Sequence, residues 1–250
     1  MKKSMAGMAV MAGALLAQAA PAAEITVLSG GAIEPGLKAA AAAFQKETGH
    51  AVKITFNTTP QIRKRIGGGE TMDVVIAPPA AIDEFAKAGK VEAQDQVNVG
   101  RVGMGAAVRP GAPVPDISGA EALKRSVLEA ESIVFNRASS GIYFENLLKK
   151  MGIYEQVEAK ATRYADGASV MEHVLKGKGK EIGFGPMTEI LLHRDQGLRL
   201  IGPLLAEVQN YTAYTAVPMT DASNVEVAKA FVRYLGSSGG KALFVAAGIE

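Results

Sequence analysis

Four short segments of this 250-residue chain place hydroxyl groups or bare glycine amides just before a predicted helix. The segments are SGGAIEPG, NTTPQ, NRASSGIY and YADGASVM, and the residues that they offer are Ser29, Gly30, Gly31, Thr58, Thr59, Ser139, Ser140, Gly141, Gly167 and Ala168. The first backbone N–H groups of a helix have no partner within the helix, and the helix dipole adds partial positive charge at the same end. Such turns bind small anions without a basic side chain.

The same residue types are ordinary helix caps, so each turn taken alone is explained without a ligand. Four such turns in one chain, without another obvious reactive group, favour a binding site for a small anion. The pattern leaves two ligand classes open. One is a tetrahedral oxyanion, and the other is a small organic carboxylate.

The residue patterns of common metal sites are missing from the sequence. The three histidines, His50, His173 and His193, lie far apart, and none stands in an HExxH or HxE pattern. We therefore predict a protein that is not an enzyme and that has neither a cofactor nor a metal. The alternative from another functional class is an exported hydrolase or transferase.

Short strand-like segments alternate with helical segments along the chain. The predicted strands are 24–29, 51–57, 72–78, 98–108, 132–136, 160–164, 181–185 and 211–218, and the predicted helices are 35–49, 60–69, 80–90, 142–150, 170–175, 226–237 and 239–248. This alternation predicts an α/β fold with a parallel or mixed sheet. In such sheets ligands bind at the carboxyl ends of the strands, where the four turns would lie.

Residues 1–23 have the composition of a cleaved export signal. Lys2 and Lys3 precede an apolar run over residues 5–17, and the small-residue stretch AQAAPAA ends at Ala23. The run is too short to span a bilayer. The chain has no cysteine, which excludes disulfides and a lipid anchor on cysteine. We expect a soluble protein of the periplasm.

The charge balance gives no reason to expect a nucleic-acid partner or an anionic membrane surface. The chain has 27 basic and 25 acidic residues, and removal of Lys2 and Lys3 with the signal leaves 25 of each. A neutral chain lacks the positive field that attracts polyanions. We expect a monomer that binds a small anionic ligand.

Several long stretches resemble the periplasmic solute-binding proteins of ABC transporters, and in particular the molybdate-binding branch with its type II fold. The stretches are ITVLSGGAIEPGLKAAAAAFQKETG, VKITFNTTPQIRKRI, MDVVIAPPAAIDEFAKAGKV, NRASSGIYFENLLKKMGIY and AKAFVRYLGSSGGKALFVAAGI. Together they extend the resemblance over nearly all of residues 24–250. Their combination and order are specific for the superfamily and much less specific for the ligand.

The resemblance implies two α/β lobes, each a mixed sheet flanked by helices, that are joined by two crossing strands and close on the ligand. It implies that residues 24–102 and 213–250 form lobe one and that residues 103–212 form lobe two. It also implies that the ten turn residues bind the anion and that the protein delivers it to an ABC permease in the inner membrane.

Two positions depart from the molybdate pattern that the resemblance implies. Ala32 aligns with a serine and Pro186 with a tyrosine, so two hydrogen-bond donors are absent. Ser29, Thr58 and either Ser139 or Ser140 are the expected replacements. Thr59 aligns with the second serine and keeps a hydroxyl. Molybdate or tungstate and a larger, flatter carboxylate therefore remain alternative ligands.

Basic side chains are the other possible anion ligands. Arg63 and Arg65 follow the Thr59-Pro60 pair, and Arg137 directly precedes the Ser139-Ser140 turn. We expect neutral hydroxyls and backbone amides, rather than these arginines, to provide most of the anion binding. Of the three arginines, Arg137 is the one best placed to reach a ligand.

Overall fold

The computed structural model describes residues 22–250, so the predicted export signal lies almost entirely outside the described residues. The strands are β1 (Glu24–Gly30), β2 (Ala51–Asn57), β3 (Val74–Ala77), β4 (Val97–Val108), β5 (Ser132–Asn136), β6 (Ala161–Tyr164), β7 (Glu181–Pro186), β8 (Arg199–Pro203) and β9 (Tyr211–Pro218). The helices are α1 (Glu34–Thr48), α2 (Thr59–Gly67), α3 (Pro79–Lys87), α4 (Ala120–Glu129), α5 (Ser139–Lys150), α6 (Tyr154–Val157), α7 (Gly167–Lys176), α8 (Met187–Leu191), α9 (Val225–Gly236) and α10 (Ser238–Ala246). Over residues 22–250, none of these helices combines the length and the apolar composition needed to cross a bilayer.

The strands form one mixed sheet in the order β2-β1-β3-β9-β4-β7-β5-β6, with β8 beside β4. β1 lies parallel to both β2 and β3, and β5 lies parallel to both β6 and β7. β9 and β4 lie between these two parallel groups and run antiparallel to their neighbours. The predicted α/β fold with a mixed sheet is therefore confirmed.

β4 belongs to both parts of the sheet. Its first residues, from Val97 to Gly103, pair with β9, whereas Met104 to Ala107 pair with β7. A β-bulge at Asn98–Gly100 interrupts the pairing with β9, and Gly100 has a φ of 138°, which favours glycine. β4 and β9 are therefore the long strands that connect the two parallel groups.

The buried apolar side chains form separate clusters on the two sides of these connections. Two clusters consist of side chains from residues 25–102 and 214–249, and we call this part of the chain the first half. Two further clusters consist of side chains from residues 104–208, and we call this part the second half. Phe44 and Phe231 meet edge-on in the first half, and Phe144 stacks on Phe184 in the second half. The lobe limits at residues 102 and 212 stay a prediction.

The seven predicted helices all begin one to three residues earlier than predicted. α2 begins at Thr59 with Thr58 as its N-cap, and the Gln61 side chain accepts a hydrogen bond from the Thr58 N–H at 3.1 Å. α5 begins at Ser139 and α7 at Gly167. The residues predicted to precede the helices therefore form their first turns. The short elements α6, α8 and β8 and the helix α4 were not predicted.

The Ser-Gly segment between α9 and α10 is a helix break, as its sequence indicates. Ser237 caps α10, because its hydroxyl accepts a hydrogen bond from the Gly240 N–H at 3.1 Å. The neighbouring Ser238 stands in a G-x-S-x-G frame. It follows a helix, whereas a nucleophilic serine in that frame follows a strand. The break is therefore structural.

Asp73 is a buried carboxylate that connects three parts of the first half. Its Oδ2 accepts hydrogen bonds from the backbone N–H and the hydroxyl of Thr26, at 2.7 and 2.9 Å. Its Oδ1 accepts from the N–H of Asn224, at 3.0 Å, at the start of α9. One side chain thereby holds β1, the entry to β3 and α9 together.

We predict that Asp73→Ala lowers the free energy of unfolding by about 2 kcal/mol, because it leaves partly buried donors of Thr26 and Asn224 without an acceptor. Urea unfolding followed by circular dichroism measures the change. The matched control is Asp83→Ala, since Asp83 is exposed on α3. A loss for Asp73→Ala no greater than that of the control would contradict this role.

Candidate functional site

A cavity of about 330 Å³ lies between the first half and the second half. Five strand-to-helix turns contribute to its wall. The contributing residues are Gly30, Gly31, Ala32 and Glu34 after β1; Asn57, Thr58, Thr59 and Gln61 after β2; Asn136, Ala138, Ser139 and Ser140 after β5; Asp166, Gly167 and Ala168 after β6; and Pro186 and Glu189 after β7. Phe56, Leu192, His193, Thr212 and Tyr214 complete the wall.

Ser29 and Gly141 are the predicted ligand-binding residues that do not line the cavity. Ser29 is fully buried in β1, and its hydroxyl donates to the Gly30 carbonyl at 3.1 Å. Gly141 packs so closely on Asn136 that a Cβ would lie 1.8 Å from the Asn136 carbonyl oxygen. Ser29 is therefore not the replacement donor that was predicted.

The other predicted site residues are brought together in the cavity wall. They are Gly30, Gly31, Thr58, Thr59, Ser139, Ser140, Gly167 and Ala168. The first four come from the first half and the last four from the second half. Their contact with a ligand stays a prediction.

Asn136, at the end of β5, organises the first turn of α5. Its Oδ1 accepts hydrogen bonds from the N–H groups of Ala138 and Gly141, both at 3.0 Å, and its Nδ2 donates to the Ser140 hydroxyl. Within the described chain, nothing accepts from the N–H groups of Ser139 and Ser140. These two N–H groups remain for a ligand.

Asp166, at the start of α7, organises the first turn of that helix in the same way. Its Oδ1 accepts from the Ser169 N–H at 2.8 Å, while the N–H groups of Gly167 and Ala168 find no acceptor among residues 22–250. At the start of α2, the N–H of Thr59 likewise has no acceptor in this part of the chain. Three helix starts thus offer unpaired N–H groups to one cavity.

Basic side chains do not contribute to the cavity wall as far as the described residues show. Arg63 pairs with Glu84 at 2.7 Å, and Arg65 pairs with Glu70. The Arg137 side chain is exposed and lies outside the cavity wall, so the expectation that it is best placed to reach a ligand is wrong. Hydroxyls and backbone amides line the space where an anion would bind, together with the carboxyl groups of Glu34, Asp166 and Glu189.

Glu189, on the short helix α8, is a site residue that the sequence analysis missed. Its Oε2 is inaccessible to solvent and has no hydrogen-bond partner in the described chain, while the rest of the residue keeps partial exposure where it lines the cavity. A Cβ on Gly167 would lie 1.6 Å from this Oε2. A side chain at position 167 would therefore displace the carboxyl group from this place.

The surroundings of Glu189 favour its protonated form. Burial, and secondly the negative charges of Asp166 and Glu34, raise the pKa of Glu189 to about 7. A carboxyl group with this pKa exchanges its proton near neutral pH. Perturbed carboxyl groups in clefts are typical of functional sites.

Tyr214, on β9, is the second titratable group that the sequence analysis missed. Its ring packs on Gly30, where a Cβ would lie 2.5 Å from Tyr214 Cε1. Burial and the nearby Glu189 raise the pKa of Tyr214 well above its usual range, so the phenol keeps its proton. The hydroxyl is a permanent hydrogen-bond donor at the cavity wall.

Two hydrogen bonds join the halves beside the cavity. The Ser139 hydroxyl donates to the Thr59 hydroxyl at 3.3 Å, and the Thr188 hydroxyl donates to the Ala32 carbonyl. Thr188 and Ala32 are both buried, since α8 packs on the turn after β1. The halves are therefore in contact beside the cavity.

Comparison with known proteins places the chain among solute-binding proteins. Residues 25–250 match the family model of the bacterial extracellular solute-binding proteins. A Pseudomonas sp. protein named aconitate isomerase is 31% identical over 237 residues, which cover 92% of this chain and 89% of that protein. The molybdate-binding protein ModA of Azotobacter vinelandii is 29% identical over 244 residues, which cover 94% of this chain and 93% of that protein.

A solved structure agrees with these matches. The periplasmic molybdate-binding protein of Azotobacter vinelandii superposes with a TM-score of 0.75 at 16% sequence identity. The superposition covers 90% of this chain and 98% of that chain. It confirms the two-lobed type II fold that the resemblance implied.

We predict that Glu189→Gln changes how stability depends on pH. The folded carboxyl titrates at about 7 and the unfolded one near 4.5. The contribution of the Glu189 carboxyl to the free energy of unfolding is therefore fully present below pH 4.5 and is lost as pH rises through 7. Glutamine does not titrate, so the variant lacks this loss. From pH 5 to pH 8, its free energy of unfolding should therefore rise by about 2 kcal/mol relative to that of wild type, allowing for the partial exposure of Glu189.

Urea unfolding of both proteins at pH 5 and pH 8 measures this difference. The control is Glu172→Gln, which changes an exposed carboxylate on α7 and should leave the pH dependence as in wild type. If Glu189→Gln and wild type respond equally to pH, the carboxyl is ionised in the folded protein at neutral pH.

Proposed function

Because the chain belongs to the bacterial extracellular solute-binding protein family, we propose that it captures a small organic carboxylate outside the cytoplasm. One observation carries the proposal. Unpaired N–H groups and hydroxyls of both halves line a single cavity whose wall, within residues 22–250, includes no lysine or arginine. Helix starts bind anions in this way, since partial positive charge and donors coincide there.

The size of the cavity favours an organic ligand over a tetrahedral oxyanion. At about 30 Å³ for each water of the liquid, a volume of 330 Å³ holds about eleven water molecules. A tetrahedral oxyanion fills only a small part of this space, whereas a tricarboxylate fills a larger part of it. An oxyanion would leave donors unpaired in a closed cavity, which is costly.

The chemistry of the wall also favours a carboxylate. Ala32 and Pro186 line the cavity at the two positions where the molybdate pattern has donor side chains. The relative named aconitate isomerase supports an unsaturated tricarboxylate as the ligand class.

Molybdate or tungstate is the second candidate ligand. The relative named molybdate-binding protein supports it, and so do Thr59 and Ala168, which line the cavity at positions that the resemblance assigns to the oxyanion. The two ligand classes use the same turns. They differ in the space that they fill.

The remaining parts of the proposal concern place and partners. The protein would act in the periplasm after removal of residues 1–23, as a monomer that opens and closes around its ligand. It would deliver the ligand to an ABC permease in the inner membrane and would not bind nucleic acid. The family and the contact between the halves support this cycle.

Titration calorimetry on residues 24–250 tests the ligand class. We predict that the unsaturated tricarboxylate trans-aconitate and its saturated analogue tricarballylate both bind at least about tenfold more tightly than molybdate, a difference of roughly 1.4 kcal/mol. Tighter binding of molybdate would replace the carboxylate proposal with the oxyanion. A lack of heat with all three ligands would contradict the anion assignment itself.

We predict that Thr59→Val weakens tricarboxylate binding about tenfold. The substitution keeps the shape of the side chain but removes a hydroxyl from the cavity wall and its bond to Ser139. The matched control is Ser223→Ala, because Ser223 is exposed and lies outside the cavity wall. Equal affinities of the two variants would show that the Thr59 hydroxyl does not take part in binding.

A further inference from the structure

We propose that Glu189 transfers a proton between two carbon atoms of a bound unsaturated carboxylate, so that the cavity isomerises its ligand as well as capturing it. This inference rests on the proposed carboxylate ligand. It assigns a chemical step to a cavity whose fold is that of binding proteins. Three features of the cavity support it: the isolation of one carboxyl group, the donors around it, and the space beside it.

The carboxyl group of Glu189 has no structural task among the described residues. The two other carboxyl groups of the cavity wall are occupied, since Glu34 pairs with Lys38 and Asp166 caps α7. Glu189 Oε2 has no hydrogen-bond partner although it is inaccessible to solvent. Burial of an unpaired carboxyl group destabilises a protein. A neutral residue would fill this position at a lower cost, which indicates a function for the acid.

The other titratable groups near Glu189 are less suited to remove a proton from carbon. The His193 Nδ1 lies 3.1 Å from the backbone carbonyl oxygen of Glu189 itself. The phenol of Tyr214 keeps its proton, so it donates rather than accepts. Asp166 and Glu34 contribute negative charge, which makes the ionised Glu189 a stronger base. Glu189 is the group whose proton is exchanged near neutral pH.

The step needs no co-reactant. In an unsaturated tricarboxylate with a CH₂ group next to the double bond, ionised Glu189 takes one proton from the CH₂. The electron pair of the broken C–H bond enters the adjacent double bond and carboxylate, which gives a dienolate. Protonated Glu189 then returns the proton to the other end of the three-carbon unit. A new C–H bond forms there, the double bond moves by one position, and Glu189 is regenerated.

The hydrogen-bond donors in the cavity wall can stabilise the negative charge that develops in this step. Negative charge moves from Glu189 onto the carboxylates of the ligand as the dienolate forms. The unpaired N–H groups of Ser139, Ser140, Gly167 and Ala168 and the Tyr214 hydroxyl all belong to the wall of the same cavity. Fixed donors at the place where charge develops are a large source of rate acceleration. Capture and catalysis would therefore use the same groups.

The pH dependence follows from the groups that face Glu189. The base must be ionised in the free protein, so kcat/KM should rise with pH and level off above about 7, the pKa of Glu189. Asp166 and Glu34 raise that midpoint by their negative charge. Tyr214 stays protonated over this range and therefore does not contribute a second midpoint.

The experiment combines calorimetry with proton NMR on residues 24–250. trans-Aconitate is incubated with wild type, Glu189→Gln, Glu189→Asp and the exposed-site control Glu172→Gln, and the vinyl and CH₂ signals of the isomers are followed over time. We expect isomer formation by wild type and by the control. Glu189→Gln should slow it at least about a hundredfold while its Kd stays within about threefold, and Glu189→Asp should restore a part of the rate.

Each other outcome overturns the inference. Binding of trans-aconitate by wild type without isomer formation would leave the capture function standing and remove the catalytic one. Isomer formation by Glu189→Gln at the rate of wild type would assign the proton transfer to another group. If calorimetry shows no binding of trans-aconitate or tricarballylate, the proposed ligand class fails and the isomerisation fails with it.

Discussion

The structure depends on helix starts whose backbone N–H groups need an acceptor from outside the helix. The first turns of α2, α5 and α7 come from both halves and share one cavity wall. Asn136 and Asp166 each accept the third N–H of their helix and leave the earlier ones unpaired. β4 and β9 bring the two sets of turns to the same place, because they connect the parallel strand groups that carry them.

The same constraint explains why the cavity holds a carboxyl group with a raised pKa. The unpaired N–H groups and hydroxyls of the wall stabilise an anion that accepts several hydrogen bonds, but Glu189 Oε2 receives none of them among the described residues. Its ionised form is therefore disfavoured, and the carboxyl keeps a proton that it can exchange near neutral pH. A site made for binding anions thus also acquires a group that can take part in proton transfer. Only a small change separates capture from chemistry in such a cavity.

The sequence predicted the strands and most of the turns because their signals are local. Runs such as MDVVIAP and YTAYTAVP are long enough to indicate buried strands, and glycine or proline marks the helix ends. α4 was equally readable, since Ala122, Leu123, Ser126 and Val127 form one buried face, and it was overlooked. Ser29 was misassigned because the alternation along a strand decides which side chains face inward, and that register comes from pairing with β2 and β3.

Glu189 and Tyr214 were missed for a different reason. α8 has five residues, too few to show a helical period in the sequence. The turn that precedes it, the fifth of the strand-to-helix turns around the cavity, begins with Pro186 rather than with glycine or serine. Asp166 and Glu34, whose charges add to the effect of burial on the pKa of Glu189, are far from it in sequence. Only the folded chain shows that these groups share a cavity with the four predicted turns.

A crystal structure of residues 24–250 with bound tricarballylate tests the central claim most directly. The account predicts ligand oxygens within hydrogen-bond distance of the backbone N–H groups of Thr59, Ser140 and Ala168, one from each helix start, with Arg137 remaining in solvent. A ligand held by an arginine, or a ligand seated outside the cavity between the halves, would contradict it.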